Sequence, residues 1–365
     1  MGNGISRLNE FGQSPWYDNL SRSMLRSGGL DALMTQDGIR GVTSNPTIFE
    51  KAMAAGEGYD EQLLSLHHAG ASPDEAFWGL VVQDITEAAA ILHPLYESTA
   101  GADGFVSVEV SPRIADDTDA TITQAKDLFA RIGAPNVMIK IPATLAGLPA
   151  ITEVIAAGIN VNVTLIFDLD RYDAVLDAHQ HGIERLIASG GDPSRVASVG
   201  SFFVSRVDTE IDKRLAPGDP LRGLPAVANA KVAYDRFIQH SATSEWREFE
   251  EKGAKPQRPL WASTSTKNPD YAPTLYVDEL IGAETVNTLA PASIEALRSG
   301  IGNQRADSII EDIDGAYVVF ERLAAAGVSY FDVTKTLETE GVASFIASYD
   351  EVILTLERRI KELIS

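Results

Sequence analysis

Along this chain, short segments whose apolar side chains crowd together or alternate with polar ones are separated by longer segments whose apolar positions recur at helical spacing. The short segments predict strands over 16–20, 39–46, 105–110, 160–164, 196–200, 259–263 and 285–289. One more begins at Val137 and ends near Lys140, where Pro142 stops it. The longer segments predict helices over 22–34 (with a break at Gly28-Gly29), 49–69, 73–96, 118–133, 149–157, 169–189, 226–240 and 244–255. Ser72-Pro73-Asp74-Glu75 has the composition of an N-cap and first turn.

Eight strands separated almost throughout by helical pattern argue for parallel strands joined by crossover helices. That number closes naturally into an α/β fold of the TIM type, a (β/α)8 barrel with extra helices. A doubly wound open sheet is the alternative, but no Gly-x-Gly-x-x-Gly follows the first strand. Beyond the barrel, apolar residues from Val342 through Phe345, Tyr349, Val352 and Leu356 to Leu363 form one stripe. They predict a long amphipathic C-terminal helix over about 341–365, its stripe buried on the barrel wall or against a second subunit. No Pro-, Gly- or Ser-rich linker divides the chain, so a single domain over 1–365 is expected.

Composition narrows the classes of partner. At 44% hydrophobic and 22% charged residues, the 365-residue chain has ample material for a core. Its 52 acidic residues outnumber 30 basic ones, a net charge of -22 that repels phosphate backbones and anionic lipid, so neither nucleic acid nor a membrane is expected as partner. Each cation inside a cleft therefore becomes informative. The absence of cysteine excludes disulfides, thiolate nucleophiles and thiolate-bound zinc, and fits a reducing interior. No run reaches the roughly 18 apolar residues of a membrane span and no signal pattern opens the chain, so a cytoplasmic monomer or homodimer is expected. The first six residues, Met1 to Ser6, match a loose myristoylation pattern, but no basic cluster follows to supply a second membrane signal.

In a closed barrel the strand C-termini meet at one mouth. Here they offer Asp18, Asn45, Glu109, Lys140, Thr164, Ser201 and Ser263 from seven different strands. Lys140 interrupts an apolar run; burial disfavours the charged form of an ammonium, and an uncharged amine attacks carbonyls. Glu109 and Asp18 supply proton donors or acceptors, and Thr164 can hold a water between them. Lys140 and Glu109 also have a plain structural alternative, Lys140 as a strand-end residue paired to a carboxylate and Glu109 as the partner that holds it still, which does not account for Asp18. Ser201 with Arg206, and Ser263 with Lys267, follow strands where a phosphate could be held by cations, hydroxyls and a helix N-terminus, or where the chain simply turns in solvent. The six histidines lie in predicted helices without His-Glu-x-x-His, which points to surface positions and to no metal site.

These residues lie in segments that resemble the transaldolases: Trp16-Tyr17-Asp18-Asn19, Gly41 to Phe49, Val106 to Val110, Met138-Ile139-Lys140-Ile141-Pro142-Ala143-Thr144, Asn160 to Phe167, Ser201 to Arg206 and Ala228 to Tyr234. The resemblance implies that Lys140 forms the Schiff base, that Glu109 shuttles protons with a water held by Thr164, and that Asp18 takes the C4-hydroxyl proton during carbon–carbon cleavage. It implies further that Asn45, Asn162 and Ser201 bind a dihydroxyacetone unit and that Arg206 binds phosphate. Family members with Ala-Ser-Phe-Arg-Asn after the seventh strand use that arginine for phosphate; Lys267 stands in its place here, a point charge without the arginine fork. The implied reaction carries dihydroxyacetone from sedoheptulose 7-phosphate to glyceraldehyde 3-phosphate, with phosphorylated sugars as the only partners and neither metal nor organic cofactor. Two alternatives are a Schiff-base aldolase releasing free dihydroxyacetone, whose known relatives are much shorter chains, and a barrel that binds phosphosugars without chemistry.

Overall fold

In the computed structural model, which describes residues 3–56 and 58–365, eight strands close in sequence order into a barrel. They are β1 (Gln13–Tyr17), β2 (Gly41–Thr43), β3 (Phe105–Glu109), β4 (Val137–Pro142), β5 (Val161–Ile166), β6 (Ser198–Phe203), β7 (Arg258–Ala262) and β8 (Thr285–Leu289). Every neighbouring pair is parallel, and β1 closes the ring on β8 with Gln13 opposite Thr285. Helices connect the strands on the outside, so the predicted (β/α)8 barrel is the fold. Met1 and Gly2, which open the myristoylation pattern, lie outside the described residues.

Strand limits differ from the sequence reading where polar residues find buried partners. β1 begins at Gln13, three residues before the predicted start, because Gln13 donates to Leu280 O (2.7 Å) and Thr285 Oγ1 (2.9 Å) while Ser14 donates to Asp103 (2.8 Å). Asp18 consequently falls just beyond the strand rather than within it. β2 is only three residues long. Its successor helix starts at Pro46, not Phe49, because proline suits the first helical position and the Asn45 side chain caps Ile48 N at 3.0 Å. The predicted 49–69 helix is two, Pro46–Ala54 and Asp60–His68, between which Gly56 and Gly58 take φ of 72° and 81°.

Alternation along each strand selects what faces the barrel axis. Ser14 and Trp16 both donate to Asp103 at the N-terminal end, where Arg40 and Arg258 also reach it at 2.8 and 3.2 Å. Trp16 needs Gly41 beside it, since a Cβ there would lie 2.6 Å from the indole ring. Two steps further along the same face, Asp18, Glu109, Lys140 and Thr164 arrive at the opposite, C-terminal end.

The C-terminal helix runs from Tyr330 to Ile364, starting ahead of the position that the apolar stripe indicates, with Ser329 capping Asp332 N. Its stripe is buried within the chain, against the Pro46–Ala54, Asp60–His68, Pro73–Ser98 and Ser205–Asp212 helices. At Gly341 the helix packs tightly on the barrel, where a Cβ would stand 3.0 Å from Leu165. Leu165 takes φ 59° at the irregularity in the β5–β6 register that follows Thr164. Among the described residues, no helix is long and apolar enough to cross a membrane.

Candidate active site

The C-terminal mouth holds a cavity of about 530 Å3. Asp18, Asn45, Lys140, Thr164, Ser201, Arg206, Ser263 and Lys267 line it, so eight of the ten residues singled out in the sequence meet in one space. Glu109 and Asn162 lie beneath it.

Lys140 is buried and still borders the cavity. Glu109 is its direct neighbour in the β3–β4 register, and their Nζ and Oε2 atoms stand 3.3 Å apart. Lys140 also donates to the Ser44 carbonyl at 3.1 Å. Neither Glu109 oxygen has a partner of hydrogen-bond geometry among the described residues, and Lys140 is the only cation within ion-pair distance. Burial raises the Glu109 carboxyl above its ordinary range, against the opposing pull of Lys140. The Thr164 hydroxyl is likewise buried and without a partner, at the cavity wall one strand over.

Asp18, half-buried, accepts a hydrogen bond from Thr43 at 2.7 Å, which fixes one carboxylate oxygen. Asn45 uses its Oδ1 in the helix cap and so turns its amide NH2 group to other uses. Asn162 does not border the cavity. It is fully buried, donating to Ser107 at 3.0 Å and accepting from Ser201 at 2.7 Å, so it holds Ser201 from below rather than bordering the cavity.

At the rim, Arg206 begins the Ser205–Asp212 helix with its guanidinium 5.2 Å from the Phe203 ring centroid. Burial pushes its guanidinium down from the usual arginine value. Lys267 sits in the loop after β7 and donates to Ser265 at 2.8 Å. Burial and the charge of Arg206 both push it down. That loop leaves β7 through Ser263, at φ 57°, and is tied to the arginine's own helix: Tyr271 donates to Asp212 at 2.6 Å and Tyr276 to Asp208 at 2.8 Å. The two cations are thus held by one clasp.

Three cavity residues were not evident from the pattern. Lys51 follows Asn45 on a helix that starts at Pro46, so spacing from Thr47 and Ile48 places it on the cavity face once the correct start is known. Thr288 comes from β8 and Phe345 from the C-terminal helix, both hidden in segments that read as packing. Conversely, His179 is not a surface residue: it is buried against Trp246, ring centroids 5.3 Å apart, because it lies on the inner face of the Leu169–Ala188 helix. Among the described residues, no three His, Asp or Glu converge as metal ligands.

A closed parallel barrel with a buried amine beside a buried carboxyl, under a rim of cations, defines a protein equipped for covalent carbonyl chemistry on anionic substrates. Comparison with known sequences agrees with that class and narrows it. The chain belongs to the transaldolase/fructose-6-phosphate aldolase family, whose profile matches residues 15–356. It is 47% identical over 365 residues to a transaldolase of Frankia alni, covering 99% of this chain and 98% of that one. A transaldolase of Thermobifida fusca is 47% identical over 358 residues, 97% of each chain. Transaldolase 2 of Streptomyces avermitilis is 44% identical over 368 residues, 100% of this chain and 99% of that one.

Proposed function

We propose that this chain is a transaldolase, moving dihydroxyacetone from sedoheptulose 7-phosphate to glyceraldehyde 3-phosphate and releasing erythrose 4-phosphate and fructose 6-phosphate. The observation that carries the reading is Lys140 Nζ, bordering the cavity 3.3 Å from Glu109. The amine adds to the C2 carbonyl of the ketose, and loss of the resulting hydroxyl as water leaves the iminium. Glu109 moves the protons of that dehydration, with a water held at Thr164. Asp18 takes the C4-hydroxyl proton, the C3–C4 bond breaks, and its electron pair passes into the iminium to form an enamine as the aldose phosphate departs. The enamine carbon then bonds to the incoming aldehyde, Asp18 returns its proton, and water frees the lysine.

Asn45, Ser201 and, through Ser201, Asn162 would hold the three-carbon unit, while Arg206 and Lys267 would hold the phosphate. The chain acts as one domain over 1–365, a cytoplasmic monomer or homodimer whose partners are phosphorylated sugars. The net charge of -22 argues against nucleic acid and anionic membrane.

Borohydride added with fructose 6-phosphate tests the covalent step. A reduced three-carbon adduct on Lys140, found by mass spectrometry, is the expected result; its absence would leave a barrel that binds phosphosugars without chemistry. Turnover of fructose 6-phosphate without an acceptor aldehyde would instead identify an aldolase.

A further inference from the structure

Lys51, Arg206 and Lys267 border the same cavity, and none of these three forms an ion pair with a carboxylate among the described residues. In a chain where 52 acidic residues face 30 basic ones, three unpaired cations at one opening call for an anion with several oxygens. They do not reach it alike. Arg206 is half-buried and stacked on Phe203, a planar fork in a fixed place. Lys51 and Lys267 are exposed, on flexible stems. Arg206 follows β6 and Lys51 follows β2, four strands away and so across the ring. Lys51 and Lys267, which follows β7, nonetheless both border the one cavity.

Under the transaldolase reading, on which this inference rests, that region has a particular task. Lys140 fixes C2 of every ketose at one point. The phosphate of the seven-carbon ketose then stands one carbon farther out than that of the six-carbon ketose. The same offset separates the four-carbon aldose from the three-carbon one. A fixed fork matches one of the two positions, whereas a flexible ammonium at the outer rim can follow the other. We infer that Lys51 is a phosphate-contacting residue that serves the longer of each pair, sedoheptulose 7-phosphate and erythrose 4-phosphate.

Lys51→Met keeps most of the side-chain length and removes the charge. KM is to be measured for all four sugars, alongside the donor concentration that half-saturates borohydride trapping on Lys140. The expected result is an increase of about tenfold for sedoheptulose 7-phosphate and erythrose 4-phosphate, the size of one charged hydrogen bond. Fructose 6-phosphate, glyceraldehyde 3-phosphate and kcat should stay within about twofold, and Lys51→Arg should restore most of the loss. Unchanged constants for all four sugars, or an equal rise in all four, would overturn the assignment. If the unaltered protein traps no adduct, it is the transaldolase reading that fails. Lys51 is exposed, so the thermal midpoint should not move, and a fall in midpoint that accounts for the kinetic change would count against the inference.

Discussion

The two ends of the barrel use the same side chains in opposite ways. At the N-terminal end, Arg40, Arg258, Ser14 and Trp16 all converge on Asp103, and Lys255 donates to the carbonyls of Ala100 and Gly101 at 3.0 and 3.1 Å. At the C-terminal end, among the described residues, Lys51, Arg206 and Lys267 have no such carboxylate, Thr164 has no partner, and Glu109 has only Lys140. Charges satisfied inside the chain hold the fold; charges left open toward a cavity are held ready for something that arrives from outside. The difference shows where stability ends and chemistry begins.

The most severe way to break this contrast is at its centre. Lys140→Ala should lower turnover by at least about a thousandfold and abolish the borohydride adduct. Steady-state assays with circular dichroism check this, and surviving activity would remove the covalent mechanism.

Asp103→Ala addresses the other end. Two arginines lose their common partner, at a cost of about 3 kcal/mol in unfolding free energy. The KM values of the folded protein should stay as they are. Denaturant titration reads the first and kinetics the second, and the reverse outcome would mean that the two ends are not separable.

Protonation sharpens the comparison further. Burial, with the nearby His240, lowers His179 from 6.5 to about 3, so its share of stability is present above 6.5 and is lost as pH falls from there toward 3. Burial raises Asp208, on the helix that carries Arg206, from 3.8 to about 7; its share is present below 3.8 and is lost as pH rises toward 7. The two slopes oppose each other. Between pH 4 and 6.5, Asp208→Asn should leave stability climbing with pH more steeply than in the parent, and His179→Phe less steeply, each by up to about 1.4 kcal/mol per pH unit. Unfolding midpoints across that window decide it.

The mildest test loosens the rim clasp. Tyr271→Phe removes one hydrogen bond to Asp212, worth about 1 kcal/mol. KM for phosphorylated substrates should rise about fivefold with kcat nearly constant. A fall in kcat alone would place Tyr271 in the chemistry instead.

Much of this was legible in the residues because strand and helix periods differ and a barrel gathers its strand ends. A lysine in the apolar run of β4 and a glutamate closing the alternation of β3 point to one another across adjacent strands, and they do pair. What escaped notice depends on contacts between distant segments. Gln13 and Ser14 look like turn residues until Leu280, Thr285 and Asp103 are seen to receive their hydrogen bonds. His179 looks like a polar surface residue until Trp246 covers it. Lys51 depends on locating the first turn of its helix, which Pro46 sets and the apolar period alone misplaces by three residues.

Phe345 carries a consequence for how the protein comes into being. The last long helix brings it to the opening, and beside it Thr47 and Ser348 join at 2.8 Å across 301 positions of sequence. Contacts so distant along the chain form slowly, since the intervening loop must close first. The part of the cavity wall that Phe345 supplies is therefore in place only once the last helix has docked.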